Sequence, residues 1–274
     1  EEEDHNCRRA ALLVARRFVL CYGLRVEQEL SIIIPAYNEE KRLPPTLERV
    51  VHYLGENYQG HYELIVADDG SNDGTPDLVR EFSKKHREVQ LLRFEKNRGY
   101  GAVVRDGMLA GKGTFVLAMD ADGSVGEEAI MRFVDYMKRH PDLALAVGSR
   151  TVQGARVLTP QPVLRVALGY TFLFLARIFF GWPLQDRING FKMFRRDAAQ
   201  DVFPLQQEDG FLGAAEIVYI VEKRGWKYEL LPVLWTDYRD SRIRPFRDSW
   251  RSFWGLFRIL RRNWQDEYTK GLRN

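Results

Sequence analysis

The sequence predicts an α/β fold built on one open, mostly parallel sheet with helices on its faces, and three observations carry that prediction. From Leu30 to Val147, short β-branched or apolar runs alternate with helical patterns, the rhythm of strand and crossover helix. Glycine-containing polar clusters close several of the runs, as turns at strand ends do. A chain of 274 residues that is 45% hydrophobic and 29% charged is large enough for one extensive core and is not a disordered or collagen-like polymer.

Strands are predicted at 30–35, 62–67, 89–94, 114–119 and 143–148, with helices at about 44–56, 75–86, 100–110 and 126–139 between them. Thr75-Pro76 and Ser124 to Glu127 resemble helix starts. After Gly148 the alternation stops, and a loop from Thr159 to Pro162 leads into a long apolar helix, Val163 to Phe180. A short strand at 190–194, helices near 197–203 and 213–223, and a strand at 228–235 follow. The expected organisation is an N-terminal amphipathic segment (1–28), a catalytic domain (29–237) with a change of task after 148, and a basic aromatic amphipathic tail (238–274).

Forty-one basic and 38 acidic residues leave a formal charge of +3, too balanced for wholesale coating of nucleic acid, and no nucleic-acid reader motif is present, so a nucleic-acid partner is not expected. Two cysteines, Cys7 and Cys21, make no disulfide framework and no zinc cluster, so a reducing compartment is the default. Glu1 to Asp4 is acidic and the apolar stretch Ala10 to Leu20 is broken by Arg16 and Arg17, unlike a secretory signal. The longest uncharged apolar run, Val166 to Ala176, falls short of the ~20 residues of a spanning helix. The helix 163–180 therefore reads either as core or as an interfacial helix. In the tail, Arg239, Arg242, Arg244, Arg247, Arg251, Arg258, Arg261 and Arg262 interleave with Phe246, Trp250, Phe253, Trp254 and Phe257. Such a pattern suits a membrane surface, or a helix packed on the domain with a solvated face.

The polar clusters sit at the carboxyl ends of predicted parallel strands, where open α/β sheets bind ligands. The first is Pro35-Ala36-Tyr37-Asn38-Glu39-Glu40, and the second is Asp68-Asp69-Gly70-Ser71-Asn72-Asp73-Gly74-Thr75. Either cluster alone is equally readable as turn chemistry. The strand 114–119 delivers Asp120-Ala121-Asp122-Gly123. Two carboxylates one residue apart can grip a hard divalent cation, which in turn holds a diphosphate. Asn97-Arg98-Gly99-Tyr100-Gly101, with Arg105, opens the third helix, where backbone N–H groups can meet phosphate.

Together with Gly148-Ser149-Arg150 and Gln185-Asp186 through Gly190-Phe191-Lys192-Met193-Phe194, these pieces resemble the family 2 glycosyltransferases, in particular the polyprenyl-phosphate (dolichyl-phosphate) hexose synthase branch and its glucosyl members; the resemblance spans about 30–235. It implies a GT-A fold with a single, mostly parallel, Rossmann-like sheet. A nucleotide-sugar half (29–148) and an acceptor half (149–237) are implied with it. Pro35, Ala36, Tyr37, Glu39, Asp68, Asp69, Asn97, Gly99, Arg105 and Asp120 are expected at the nucleotide sugar, with UDP-glucose favoured. Asp120 and Asp122 are expected to hold Mg2+ or Mn2+, and Asp122, Lys192 and Glu216 to serve catalysis. Arg150, Arg165 and Arg242 are expected at the phosphate of a polyprenyl or dolichyl phosphate, on the cytoplasmic face of a membrane that the protein contacts peripherally. The implied reaction is in-line attack with inversion, and its phosphate nucleophile is already anionic at neutral pH.

Three departures from the family pattern stand out: Tyr100 where a Lys is usual, Ala214 where the glucosyl members commonly carry Asp, and Asn189 where they often have Cys. They keep two other readings open, a transferase acting on a hydroxyl acceptor and a nucleotide-sugar-binding pseudoenzyme.

Overall fold

Side-chain alternation along the central strands sends neighbouring residues into two different cores, and this organises the molecule. The computed structural model describes residues 29–159, 163–236 and 245–270, without the side chains of 163–165 and 245–252. The segment 1–28 expected to be amphipathic therefore lies outside the described residues.

The elements are β1 (Leu30–Ala36), α1 (Leu43–Asn57), β2 (Tyr62–Asp68), α2 (Thr75–Lys85), β3 (Val89–Arg93), α3 (Tyr100–Ala110), β4 (Phe115–Ala118), α4 (Glu128–Arg139) and β5 (Leu143–Ser149), followed by β6 (Arg156–Val157), α5 (Val163–Phe180), β7 (Lys192–Arg195), α6 (Arg196–Val202), α7 (Gly213–Lys223), β8 (Lys227–Pro232), β9 (Leu234–Trp235) and α8 (Pro245–Trp264). Seven strands form one sheet in the order β3-β2-β1-β4-β7-β5-β8. All pairings are parallel except those of β7, which runs antiparallel between β4 and β5. Strands from both sides of Gly148 thus share one sheet, so the two expected halves are interleaved.

Ile32 and Ile34 face a core with Leu47, Val50 and Leu54 of α1 and Ile130, Phe133 and Met137 of α4. Ile33 faces the other core, with Val103 of α3, Val202 of α6 and Ile217, Val218 and Val221 of α7. Proline in the first turn of both α1 and α2 suits a position whose N–H has no intrahelical partner. The strand expected at 228–235 divides, because Leu234 and Trp235 leave the main sheet to pair with Arg156 and Val157 in a two-residue parallel ladder. A ladder that short carries no periodicity to detect.

The tail does more than present a surface. Leu256 and Ile259 of α8 and Tyr268 beyond it are fully buried in the second core, so this part of 238–274 belongs to the fold. The helix α5 packs on the core along one side: Ala176 is buried and Phe172, Leu175, Phe179 and Phe180 pack on the core, while Val166, Tyr170, Phe174 and Ile178 are exposed. No described helix is long and apolar enough to cross a membrane.

Phe133 meets Phe191 edge-on, ring centroids 4.9 Å apart at 82°, and both are buried. Phe133→Ala is expected to cost about 3–5 kcal/mol, read as a lower urea midpoint at unchanged slope.

Candidate active site

The carboxyl ends of β1 and β2 are sewn together by their own loops. Asn38, held at φ 55°, donates its N–H to Ser71 Oγ at 2.8 Å and accepts from Asn72 N at 2.8 Å, and Glu39 N reaches Thr75 Oγ1 at 2.7 Å. The predicted contacts Pro35 and Ala36 end β1, with Tyr37 directly after them. Glu39, also predicted there, holds Arg42 through both its oxygens, at 2.7 and 2.5 Å. Its carboxylate is a clasp on the start of α1.

Asp68 is fully buried and its Oδ1 accepts from Ser71, but Oδ2 takes no hydrogen bond; its nearest cation is Arg93 Nε at 3.4 Å. A buried carboxylate oxygen left in that state is a ready acceptor for an incoming donor. Asp69 is different. Its two oxygens accept from the backbone of Arg98 and Gly99, each at 2.8 Å, which fixes the 97–99 loop. A Cβ on Gly70 would meet the Lys96 and Asn97 backbone at 2.8–2.9 Å, so the exposed Asn97 is packed against the β2 loop.

The start of α3 is already occupied. Gly99, at φ 108°, lets the chain pass close to the carbonyl of Asp209, which accepts from Gly101 N at 2.7 Å and Ala102 N at 3.2 Å. Arg105 binds Gln206 O at 3.0 Å and Asp209 Oδ1 at 3.2 Å. The expected phosphate loop thus also forms a seam between α3 and the 206–209 segment, and Arg105 takes part in it.

Asp120 and Asp122 follow β4 and are brought together as the sequence predicts. Asp120 Oδ1 accepts from Tyr100 Oη at 2.9 Å, and Asp122 Oδ1 accepts from Ser124 N and Oγ at 2.9 and 2.7 Å. The second oxygen of each takes no hydrogen bond among the described residues. Burial and the neighbouring Asp122 charge push Asp120 up to about 6, against the opposing pull of Tyr100, Lys192 and Arg150. A crowded carboxylate pair with one open oxygen each fits a hard divalent cation. Two such ligands leave most coordination positions to diphosphate and water, in keeping with the absence of any cluster of three or more His, Cys, Asp or Glu ligands among the described residues.

Across the sheet edge lie the cations. The β4–β7 register pairs Ala118 with Lys192, which places this buried lysine beside the carboxylates. Its Nζ donates to Asn189 O, and burial lowers it to about 8 in spite of the nearby Asp186 and Asp120 charges. Arg150 binds the buried Asp186 through Nε at 2.5 Å and lies over Trp235 at 5.2 Å. Its terminal nitrogens make no hydrogen bond among the described residues. Asp186 is a site residue to which the sequence assigned no role; only its place in the Gln185-to-Phe194 motif pointed to it. The side chain of Arg165, on the first turn of α5, and all of Arg242 lie outside the description.

Glu216 is enclosed by protein donors. It is fully buried and its four acceptor positions are filled, by Gln207 N (2.9 Å) and Glu208 N (2.6 Å) on one oxygen and by Arg262 Nη1 (3.0 Å) and Tyr268 Oη (2.6 Å) on the other. No acceptor capacity is left for substrate. Glu208 adds bonds to Arg258 Nε and Nη2 at 2.9 and 2.6 Å and to Arg262 at 2.8 Å. Two of the tail arginines expected at a membrane thus bind buried carboxylates, Arg262 largely covered and Arg258 half exposed.

Residues 31–203 match the sequence profile of Glycosyl transferase family 2. The chain belongs to that family. Two relatives carry the name dolichyl-phosphate beta-glucosyltransferase: that of Dictyostelium discoideum is 32% identical over 229 residues, 80% of this chain and 70% of the relative, and that of Drosophila melanogaster is 33% identical over 234 residues, again 80% and 70%. A solved structure, glucosyl-3-phosphoglycerate synthase from Mycobacterium tuberculosis in complex with Mn2+, uridine diphosphate and glucosyl-3-phosphoglycerate, matches with a TM-score of 0.59 at 17% identity, over 85% of this chain and 78% of that one. At that identity the likeness establishes the fold, and the expected GT-A architecture is the one observed.

Within this family 2 transferase, Tyr100 and Ala214, two of the departures from the family pattern, line one small cavity together with Gly190 and Lys192. If Glu216 is a structural hub, Glu216→Gln lowers stability by about 3 kcal/mol, the scale of breaking a buried charge network, while leaving UDP affinity of the folded protein within about twofold of wild type. Thermal unfolding and calorimetric UDP titration check the two halves of that expectation.

Proposed function

We propose that this family 2 transferase moves glucose from UDP-glucose to a dolichyl or related polyprenyl phosphate, with inversion, at the cytoplasmic surface of a membrane. The observation that carries the phosphate acceptor is the lack of a base where a hydroxyl acceptor needs one: position 214 is alanine and Glu216 has no free acceptor. An acceptor that arrives anionic needs no proton removed. The name shared by the relatives supplies the donor and acceptor pair.

In this reading the open oxygen of Asp68 takes a donor from the base, and the chain from Pro35 to Tyr37, with Asn97 and Gly99, borders the nucleotide. Asp120 and Asp122 hold the cation; Mg2+ or Mn2+, when bound, neutralises the charge that builds on the departing diphosphate. The free fork of Arg150, with Arg165 and Arg242, receives the acceptor phosphate. Lys192 adds positive potential between the two phosphates. A phosphate oxygen of the lipid attacks the anomeric carbon, its electron pair forming the new C–O bond. The bond to the β-phosphate breaks, its pair leaving with UDP. Positioning and charge complementarity do most of the work.

Membrane contact is assigned to the exposed stripe of α5, where Val166, Tyr170, Phe174 and Ile178 are 37, 61, 56 and 62% exposed. Phe257 of α8 meets Phe179 at 4.8 Å and, with Trp254, extends the apolar surface beside the exposed Arg177 and Arg261. A patch of this kind, edged by cations, suits an anionic lipid surface.

The test is nucleotide release from a panel of UDP- and GDP-sugars with Mg2+ or Mn2+, with and without a short polyprenyl phosphate. Release that requires both UDP-glucose and the lipid is expected; release indifferent to the lipid overturns the acceptor. Asp122→Ala is expected to reduce turnover by about 100-fold or more with the fold intact by circular dichroism. The Lys192 ammonium is present below its pKa of about 8 and lost above it, so kcat/KM is expected to fall as pH rises through about 8, and Lys192→Met to remove that limb from the profile.

A further inference from the structure

Asp120 is confined from two sides. Tyr100 Oη donates to its Oδ1 at 2.9 Å, and Gly190 stands so close that a Cβ there would run into both carboxylate oxygens. The tyrosine is itself fixed at both ends. Its backbone opens α3, where the Asp209 carbonyl caps Gly101 and Ala102, and its ring stacks on Phe211 with centroids 5.3 Å apart and planes 25° apart. A tyrosine placed only to fill the core keeps its hydroxyl for backbone or water; here the single hydroxyl partner among the described residues is the carboxylate.

We propose that Tyr100 is a positioning residue for the cation-binding pair: its hydroxyl selects the Asp120 rotamer, holding Oδ1 and leaving Oδ2 for the ion, and Phe211 holds the ring that carries the hydroxyl. The residue type matters. The phenol supplies a directional hydrogen bond and leaves the double negative charge of the pair intact. The arrangement also ties the aim of Asp120 to the acceptor half, because Phe211 belongs to the segment that Glu216 holds through the Gln207 and Glu208 backbone.

This inference rests on Asp120 and Asp122 as the cation-binding pair, and one experiment separates the two. Free Mn2+ is followed by its electron paramagnetic resonance signal while the full chain is titrated in the presence of UDP, for wild type, Tyr100→Phe, Phe211→Leu and Asp122→Ala. Tyr100→Phe is expected to weaken Mn2+ binding by about tenfold, the scale of one charge-assisted hydrogen bond, and Phe211→Leu by a smaller factor. Turnover at saturating Mn2+ is expected to stay near wild type in both, so that the effect appears in the metal requirement and not in kcat. Asp122→Ala is expected to abolish binding. Wild-type Mn2+ affinity in Tyr100→Phe beside its loss in Asp122→Ala overturns the positioning role alone. Retained binding in Asp122→Ala overturns the cation pair and the positioning role together. If Tyr100→Phe does not fold, Phe211→Leu decides, and unchanged affinity there overturns the proposal.

Discussion

Charge held at the carboxyl edge of β4 is the constraint around which the molecule is arranged. Asp120, Asp122 and Asp186 meet Lys192 and Arg150 in a region where burial raises Asp120 and lowers Lys192. Each of these groups is costly to desolvate alone. Together they are tolerable because the antiparallel β7 places Lys192 opposite the end of β4, and because Gly190 carries no side chain into the space that Asp120 fills. A site that is electrostatically tense without ligand is well matched to a divalent cation and two phosphates.

A second buried charge network has a different purpose. Glu208 and Glu216 gather Arg258, Arg262 and Tyr268, so α8 and the turn after it are bolted to the loop that precedes α7. The same loop caps α3 through Asp209 and stacks Phe211 on Tyr100. The C-terminal helix, exposed on its aromatic side, is therefore mechanically continuous with the carboxylate pair.

The parallel strands and their helices are legible because most are apolar runs or amphipathic patterns set off by polar, glycine- or proline-containing turns. The pattern places a helix near 213–223, and α7 stands at Gly213–Lys223. The Asp120–Asp122 pair was legible because spacing alone delivers two carboxylates to one sheet edge. Roles set by tertiary partners were not. Glu39, Asp69 and Arg105 have residue types suited to a nucleotide, but Arg42, the Arg98–Gly99 backbone and Asp209 claim them. Glu216 reads as an orienting carboxylate, and nothing in its own segment announces the arginine and tyrosine contributed from about fifty residues further along. The ion pairing of Arg150 with Asp186 was hidden for the same reason.

The place of β7 has a consequence for how the chain is assembled. Because β7 separates β4 from β5, these two strands have no edge in common, although they are consecutive in the first five. The strands up to Gly148 therefore supply four contiguous neighbours, β3-β2-β1-β4, and β5 is joined to them only through β7. Closure waits for a strand from the second half, a long-range pairing of the kind that slows folding. An open strand edge is a template for mispairing until such a pairing forms. The strand that places Lys192 beside Asp120 thus also joins the two halves of the chain in one sheet.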